Sequence, residues 1–132
     1  MQKFLFEKSH TVLLADTDAA GRVYFARPPQ WIHGLWEEFL TFKKRPLAEV
    51  MRGPFHFPIV NFEIQYKAPL ALGDQVILGL VAVEKGQKSM TVVYEVTDRS
   101  HSKIYLTGKI THICVDTRTG SSALLPSDVQ DL

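Results

Sequence analysis

The sequence predicts an α+β fold in which a five-stranded antiparallel sheet wraps around one long helix. Three observations carry this reading. One helical segment, roughly Arg27 to Lys43, sets Ile32, Leu35, Trp36, Phe39 and Leu40 on a wide apolar face. After Pro58 the apolar period changes to two and stays there. The order is strand, helix, then four strands, which supplies a sheet able to cover the helix.

The elements follow in order. Phe4 to Leu14 reads as a first strand with imperfect alternation. Asp16 to Gly21 is a turn of Asp, Thr, Ala and Gly. In the helix, Glu37, Glu38, Lys43 and Lys44 lie on or near the polar side, and Pro46 ends it. Leu47 to Met51 reads as a short helical turn before Gly53-Pro54. Val60, Phe62, Ile64 and Tyr66 alternate with Asn61, Glu63, Gln65 and Lys67, the pattern of a half-buried strand. Ala68-Pro69-Leu70 and Leu72-Gly73-Asp74 interrupt the pattern, and Gln75 to Lys85 forms a more apolar strand. Met90, Val92, Tyr94 and Val96 alternate in the next, and Ile104 to Asp116 forms a long last strand with Gly108 as a bulge. The tail from Thr117 is turn-rich and expected to be irregular. A curved sheet of this kind has open edges and an incompletely covered helix. Edge pairing between subunits answers both, so a homodimer or homotetramer is expected.

The 132 residues fit a single domain over 1–132, with no repeat, linker or low-complexity tract. Fifteen basic residues balance 14 acidic ones, which gives no footprint for nucleic acid or an anionic membrane. The one cysteine, Cys114, cannot form an internal disulfide and suits a reducing compartment. Met1 to Glu7 holds no apolar core of signal-peptide length, and no run approaches the ~20 apolar residues of a membrane helix. A cytoplasmic location, without membrane or nucleic-acid partners, is the expectation.

The chemistry is concentrated in Ala15-Asp16-Thr17-Asp18-Ala19-Ala20-Gly21-Arg22-Val23-Tyr24-Phe25. Two carboxylates stand on a small-residue turn just before a helix, whose first N–H groups have no intrahelical acceptor. A carboxylate and an amide donor are sufficient for a thioester. Its thiolate leaving group, with a pKa near ~8.5, departs without a strong general acid. The carboxylate activates water or attacks the carbonyl, and the N–H stabilises the oxyanion. Gly21 lets the backbone approach a ligand closely. The same Asp-Thr-Asp string is also a common turn and N-cap composition, and Asp16 fits that role even where Asp18 is catalytic.

Other residues read more plainly. The five histidines show no metal-ligand spacing, so no metal is expected. His33 and Glu37, four apart on the helix, read as a surface or half-buried pair, with His33 near enough to the turn for a pocket role. Cys114 reads as a small buried hydrophobe rather than a nucleophile. Gly120-Ser121-Ser122 lacks the nucleophile-elbow pattern. Trp31 and Trp36 read as helix packing, with Trp31 also able to line a pocket. Lys85, Lys88, Arg99 and Lys103 form a loose basic set, with solvated surface as the default reading of each.

The run from Asp16 to Phe25 follows the pattern D-x-D-x-x-G-x-V-aromatic-aromatic, and with it the chain resembles the hotdog-fold acyl-CoA thioesterases of the 4-hydroxybenzoyl-CoA thioesterase family. The resemblance covers most of the chain. Pro58-Ile59-Val60, Ala68-Pro69 with Gly73-Asp74, and Lys88-Ser89 match in the same order. It implies that Asp18 is the catalytic carboxylate and that the Phe25 amide is the oxyanion donor. It implies further that Gly21, Tyr24, Ile59 and Val60 bind substrate, that Lys88 and Ser89 meet the CoA nucleotide, and that no cofactor is needed. Ala15 to Asp18, Val23 to Phe25, Phe57 to Val60 and Thr111 to Val115 are similar to the 1,4-dihydroxy-2-naphthoyl-CoA hydrolase members of quinone biosynthesis, which implies an aromatic acyl group. The alternatives are a short or medium fatty acyl-CoA or acyl-carrier-protein thioesterase, and a non-catalytic acyl-CoA-binding module. A hotdog dehydratase needs a helix-start histidine, and Ala19 to Ile32 holds none. Ala26-Arg27-Pro28-Pro29 departs from the family's polar-then-apolar pattern. It leaves the amides of Phe25, Ala26 and Arg27 as donors and bears on the shape of the acyl pocket.

Overall fold

The apolar helix face read from the sequence is buried. In a computed structural model, which describes residues 4–132, helix α1 (Arg27–Phe42) turns Ile32, Leu35, Trp36, Phe39 and Leu40 inward. Met1 to Lys3, part of the stretch read for a signal segment, lie outside the described residues. Each of those five side chains contributes about 1.5–3 kcal/mol when fully buried. They pack with Leu78, Leu80, Val92, Tyr94, Leu106 and Ile110 from the sheet into one core. Among the described residues no helix is long and apolar enough to cross a membrane.

Strands β1 (Phe6–Thr11), β3 (Ile59–Tyr66), β4 (Gln75–Lys85), β5 (Ser89–Asp98) and β6 (Ile104–Ile113) form one antiparallel sheet in the order β1-β4-β5-β6-β3. Its concave face holds α1, the hotdog arrangement. A short helix α2 (Leu47–Val50) follows α1, and strands β2 (Phe55–His56) and β7 (Val115–Asp116) pair as a separate ribbon.

Five expectations need correction. The first strand stops at Thr11, because the Asp16 carboxylate captures the Leu13 N–H and bends the chain into a 3-10 turn. β3 is not half-buried: Ile59, Val60, Phe62 and Tyr66 are exposed, since the strand is a sheet edge that α1 does not cover. Gly108 is no bulge. It pairs in register with Ile64 and Tyr94, and a Cβ there would lie 2.9 Å from the Ile32 Cδ1, so glycine lets α1 approach the sheet. The long last strand breaks at Cys114 into β6 and β7. The tail carries helix α3 (Ser127–Gln130), with Leu125 and Val129 buried in the core.

Candidate active site

The site grows from the loop between β1 and α1. Asp16 is only 8% exposed, a position a carboxylate tolerates when donors surround it. The Leu13 N–H donates to Oδ2 at 2.9 Å, the Trp31 indole N–H to Oδ1 at 3.2 Å, and His10 Nε2 lies 3.2 Å from Oδ2. Burial pushes the Asp16 carboxyl up, but the hydrogen bonds from Leu13, Trp31 and His10 outweigh it and hold it below the usual carboxylate value. Asp16 therefore ties β1, the loop and α1 together. Trp31, read as packing or pocket wall, is its partner.

Past Asp16 the chain doubles back as a small hairpin. Thr17 pairs with Val23, the Asp18 N–H donates to the Arg22 carbonyl at 2.9 Å, and the Tyr24 N–H to the Asp16 carbonyl at 2.8 Å. Gly21 sits at the corner with φ +76°, a conformation costing a residue with a Cβ roughly 1–2 kcal/mol. Its N–H donates to the Asp18 carbonyl, so its visible role is to close the turn. Asp18 stands exposed at the tip. Its Oδ1 accepts the Ala20 N–H at 2.9 Å, while Oδ2 has no hydrogen-bond partner among the described residues.

The mouth of α1 is built from two peptide groups held by their carbonyl ends. The Tyr24 carbonyl accepts the Arg27 N–H at 2.9 Å, and the Phe25 carbonyl accepts the Tyr66 hydroxyl from the end of β3. In a trans peptide the N–H points opposite to the C=O. The N–H groups of Phe25 and Ala26 thus face away from those anchors, and neither has a hydrogen-bond partner among the described residues. Arg27, expected as a third donor, is engaged by Tyr24. Pro28 and Pro29 fall in the first helical turn, where an N–H would have no intrahelical acceptor, so they remove no helix bond. Two free donors at the positive end of a helix dipole make an anion-binding mouth. A cavity of about 310 Å³ opens beside it, walled by Arg22, Phe25, Pro28 and Tyr66. No hydrogen bond joins the Asp18 carboxylate to either free amide, which leaves both open to a ligand.

Asp18, Gly21, Tyr24 and Phe25 belong to this end of the fold. Ile59, Val60, Lys88 and Ser89 do not. Ile59 pairs with His112 and Ser89 with Ile113, which sets all four at the opposite end of the sheet. The length of β3 between Ile59 and Tyr66 is about 23 Å at the usual strand rise. The candidate residues of a single chain therefore fall into two groups that do not meet.

The loose basic set also disperses. Lys85 donates to the main-chain oxygens of Gln130 and Leu132, Arg99 to the Gln75 side chain, and Lys103 lies over the Tyr105 ring. Cys114 is buried, and desolvation followed by the nearby Asp116 charge pushes its thiol up, which suits a packing role. His33 joins the wall of a second, larger cavity with Trp36 and His112. Sequence reasoning gave no part to Tyr66, whose hydroxyl fastens the helix mouth, or to His112, which lines the larger cavity. The Tyr66–Phe25 bond spans 41 residues, and no local pattern reports it.

The thioesterase-like superfamily model matches residues 12–132. A 1,4-dihydroxy-2-naphthoyl-CoA hydrolase from Nostoc punctiforme is 32% identical over 126 residues, covering 94% of this chain and 83% of that protein. The crystal structure of a 1,4-dihydroxy-2-naphthoyl-CoA thioesterase from Synechocystis superposes with a TM-score of 0.86 at 28% identity, covering 95% of this chain and 92% of the other. A gentisyl-coenzyme A thioesterase superposes with a TM-score of 0.81 at 25% identity, covering 95% of this chain and 99% of the other.

Proposed function

The chain belongs to the thioesterase-like superfamily and is a CoA thioester hydrolase, and from that premise we propose that its acyl group is aromatic, with 1,4-dihydroxy-2-naphthoyl-CoA as substrate. The observation that carries the mechanism is the carboxylate oxygen of Asp18, free among the described residues, on the hairpin that leads into two amides, Phe25 and Ala26, likewise without a partner among them. The thioester carbonyl oxygen lies at the helix mouth and takes up charge against the Phe25 N–H, aided by Ala26. The Asp18 carboxylate either draws a proton from water as the water oxygen bonds to the carbonyl carbon, or attacks that carbon itself before water releases the acid. The carbon–sulfur bond breaks, and the CoA thiolate leaves and takes up a proton. No step calls for a cofactor.

The working unit is a homodimer in which each site draws on both chains. β3 is an open edge whose Ile59, Val60, Phe62 and Tyr66 are 39–54% exposed. Antiparallel pairing of this edge with its copy sets the Ile59 end of one chain beside the Phe25 end of the other. The two half-sites then join: Asp18, Tyr24 and Phe25 from one chain, and Ile59, Val60, Lys88 and Ser89 from its partner, with Lys88 and Ser89 toward the nucleotide.

Hydrolysis rates across aromatic and aliphatic CoA thioesters, read by thiol release, test the substrate. The naphthoyl ester is expected to have the highest kcat/KM, and a faster fatty acyl-CoA overturns the aromatic reading. Asp18→Asn is expected to lose at least about a hundredfold in turnover while the fold persists. Undiminished turnover in that variant removes Asp18 from the mechanism.

A further inference from the structure

The larger cavity, about 620 Å³, lies between the second half of α1 and the segment 45–58 folded over it, a volume suited to a small ligand. Its wall is largely apolar, with Trp36, Leu40, Phe55 and Met90 among its residues, and it contains one fully buried polar side chain, His112, at 2% exposure. The His112 ring stacks with Trp36, centroids 5.7 Å apart and planes 28° apart, and faces His33 at 6.4 Å.

The hydrogen on this ring can be placed. Nδ1 lies 3.0 Å from the Phe57 carbonyl oxygen, which can only accept, so Nδ1 carries the hydrogen. Burial pushes the His112 pKa down and the neighbouring His33 adds to that, against the opposing Phe57 bond, so the ring is neutral at pH 7. A neutral imidazole carries one N–H, and Nε2 is therefore a bare acceptor. Nε2 is buried and has no hydrogen-bond partner among the described residues. Buried polar atoms normally find a partner. The missing partner must be a donor, held within apolar walls.

We propose that this cavity binds a flat hydroxylated aromatic ring whose O–H donates to His112 Nε2 beside the Trp36 ring. A hydroxyl satisfies the nitrogen, whereas a methoxy group, a carbonyl or a carboxylate offers it only lone pairs. Two sources share this chemistry: the hydroxyaryl acyl group of a CoA ester, and a free phenol or naphthol. Only the first source rests on the aromatic-acyl function given above, and the binding itself does not.

Calorimetric titration of the full-length chain with 1-naphthol and with 1-methoxynaphthalene tests the proposal. 1-Naphthol is expected to bind at least tenfold more tightly, and His112→Phe is expected to reduce that preference to less than twofold. The ¹⁵N resonance of His112 Nε2 in the wild-type chain is expected to shift upfield with 1-naphthol, a readout independent of whether the variant folds. Equal affinity for the two compounds, no binding of either, or an unmoved resonance overturns the proposal. Asp18→Asn is expected to bind 1-naphthol as the wild type does, so an error in the catalytic assignment leaves this result intact. Competitive inhibition of 1,4-dihydroxy-2-naphthoyl-CoA hydrolysis by 1-naphthol identifies the acyl group as the source. Binding with no competition identifies a free ligand, and in both cases the site stands.

Discussion

The Trp31 indole N–H donates to Asp16 Oδ1 across 3.2 Å, fastening α1 to the loop in front of it through a buried carboxylate. Ala26, at the N-cap, offers no side-chain cap. The angle between the hairpin and the helix mouth is thus held by this carboxylate and by the Tyr24–Asp16 backbone bond rather than by a capping side chain.

Asp16→Ala leaves the Leu13 and Trp31 donors of these part-buried bonds without their charged acceptor, at about 1–3 kcal/mol for each. The expected loss is about 2–4 kcal/mol in unfolding free energy, measured by urea denaturation, together with lower turnover. Trp31→Phe removes one bond and is expected to cost about 1–2 kcal/mol. A wild-type denaturation midpoint in Asp16→Ala would show that the network is idle.

His112 makes stability fall with acid. Its folded pKa lies below the ordinary 6.5 because burial disfavours the charged ring, the nearby His33 adding to this. The unfolded chain therefore binds the proton first, so this contribution is full above pH 6.5 and is lost as pH falls through the folded pKa. The melting temperature is expected to drop between pH 7.5 and 5, and His112→Gln to show a shallower drop over the same range.

Asp16 acts lower on the scale. Its folded pKa is depressed below 3.8 although burial alone would raise it, because the bonds from Leu13, Trp31 and His10 prevail. Its contribution is present above pH 3.8 and is lost as pH falls through the depressed value. Wild type is expected to lose more stability than Asp16→Asn on acidification below about pH 4, followed by circular dichroism.

The proposed sharing of each site between two chains predicts complementation. Asp18→Asn and Lys88→Glu chains are each expected to be weak at low substrate. Unfolded together and refolded as a mixture, they should recover about a quarter of wild-type activity, since half the dimers are mixed and each mixed dimer has one intact site. No recovery would place all the groups of a site in one chain.

Tyr66→Phe frees the Phe25 carbonyl and with it the orientation of the Ala26 N–H. The expected effect is a kcat lower by about three- to tenfold, with KM and melting temperature nearly unchanged, from the loss of one hydrogen bond. Steady-state kinetics on the variant decide this.

Local physics made much of this molecule legible from its sequence. The Ile32–Leu40 stripe has helical spacing because one face must be buried, and α1 appears within a residue of its expected end. β4 runs from Gln75 to Lys85 as read, since a continuous apolar run needs cover on both sides. The hairpin from Asp16 to Gly21 was visible because small and acidic residues and a positive-φ glycine make turns. Pairings distant along the chain left no such trace. Tyr66 reaching the Phe25 carbonyl, His112 placed in the wall of a cavity under the segment 45–58, and the dispersal of Lys85, Arg99 and Lys103 all follow from strand order and register. Periodicity reports which face of an element is apolar; it carries no information on which residues of other elements will lie opposite. The acidic turn ahead of the helix belonged to the sequence, and the separation of the two groups of candidate residues along β3 was decided only when the sheet closed over the helix.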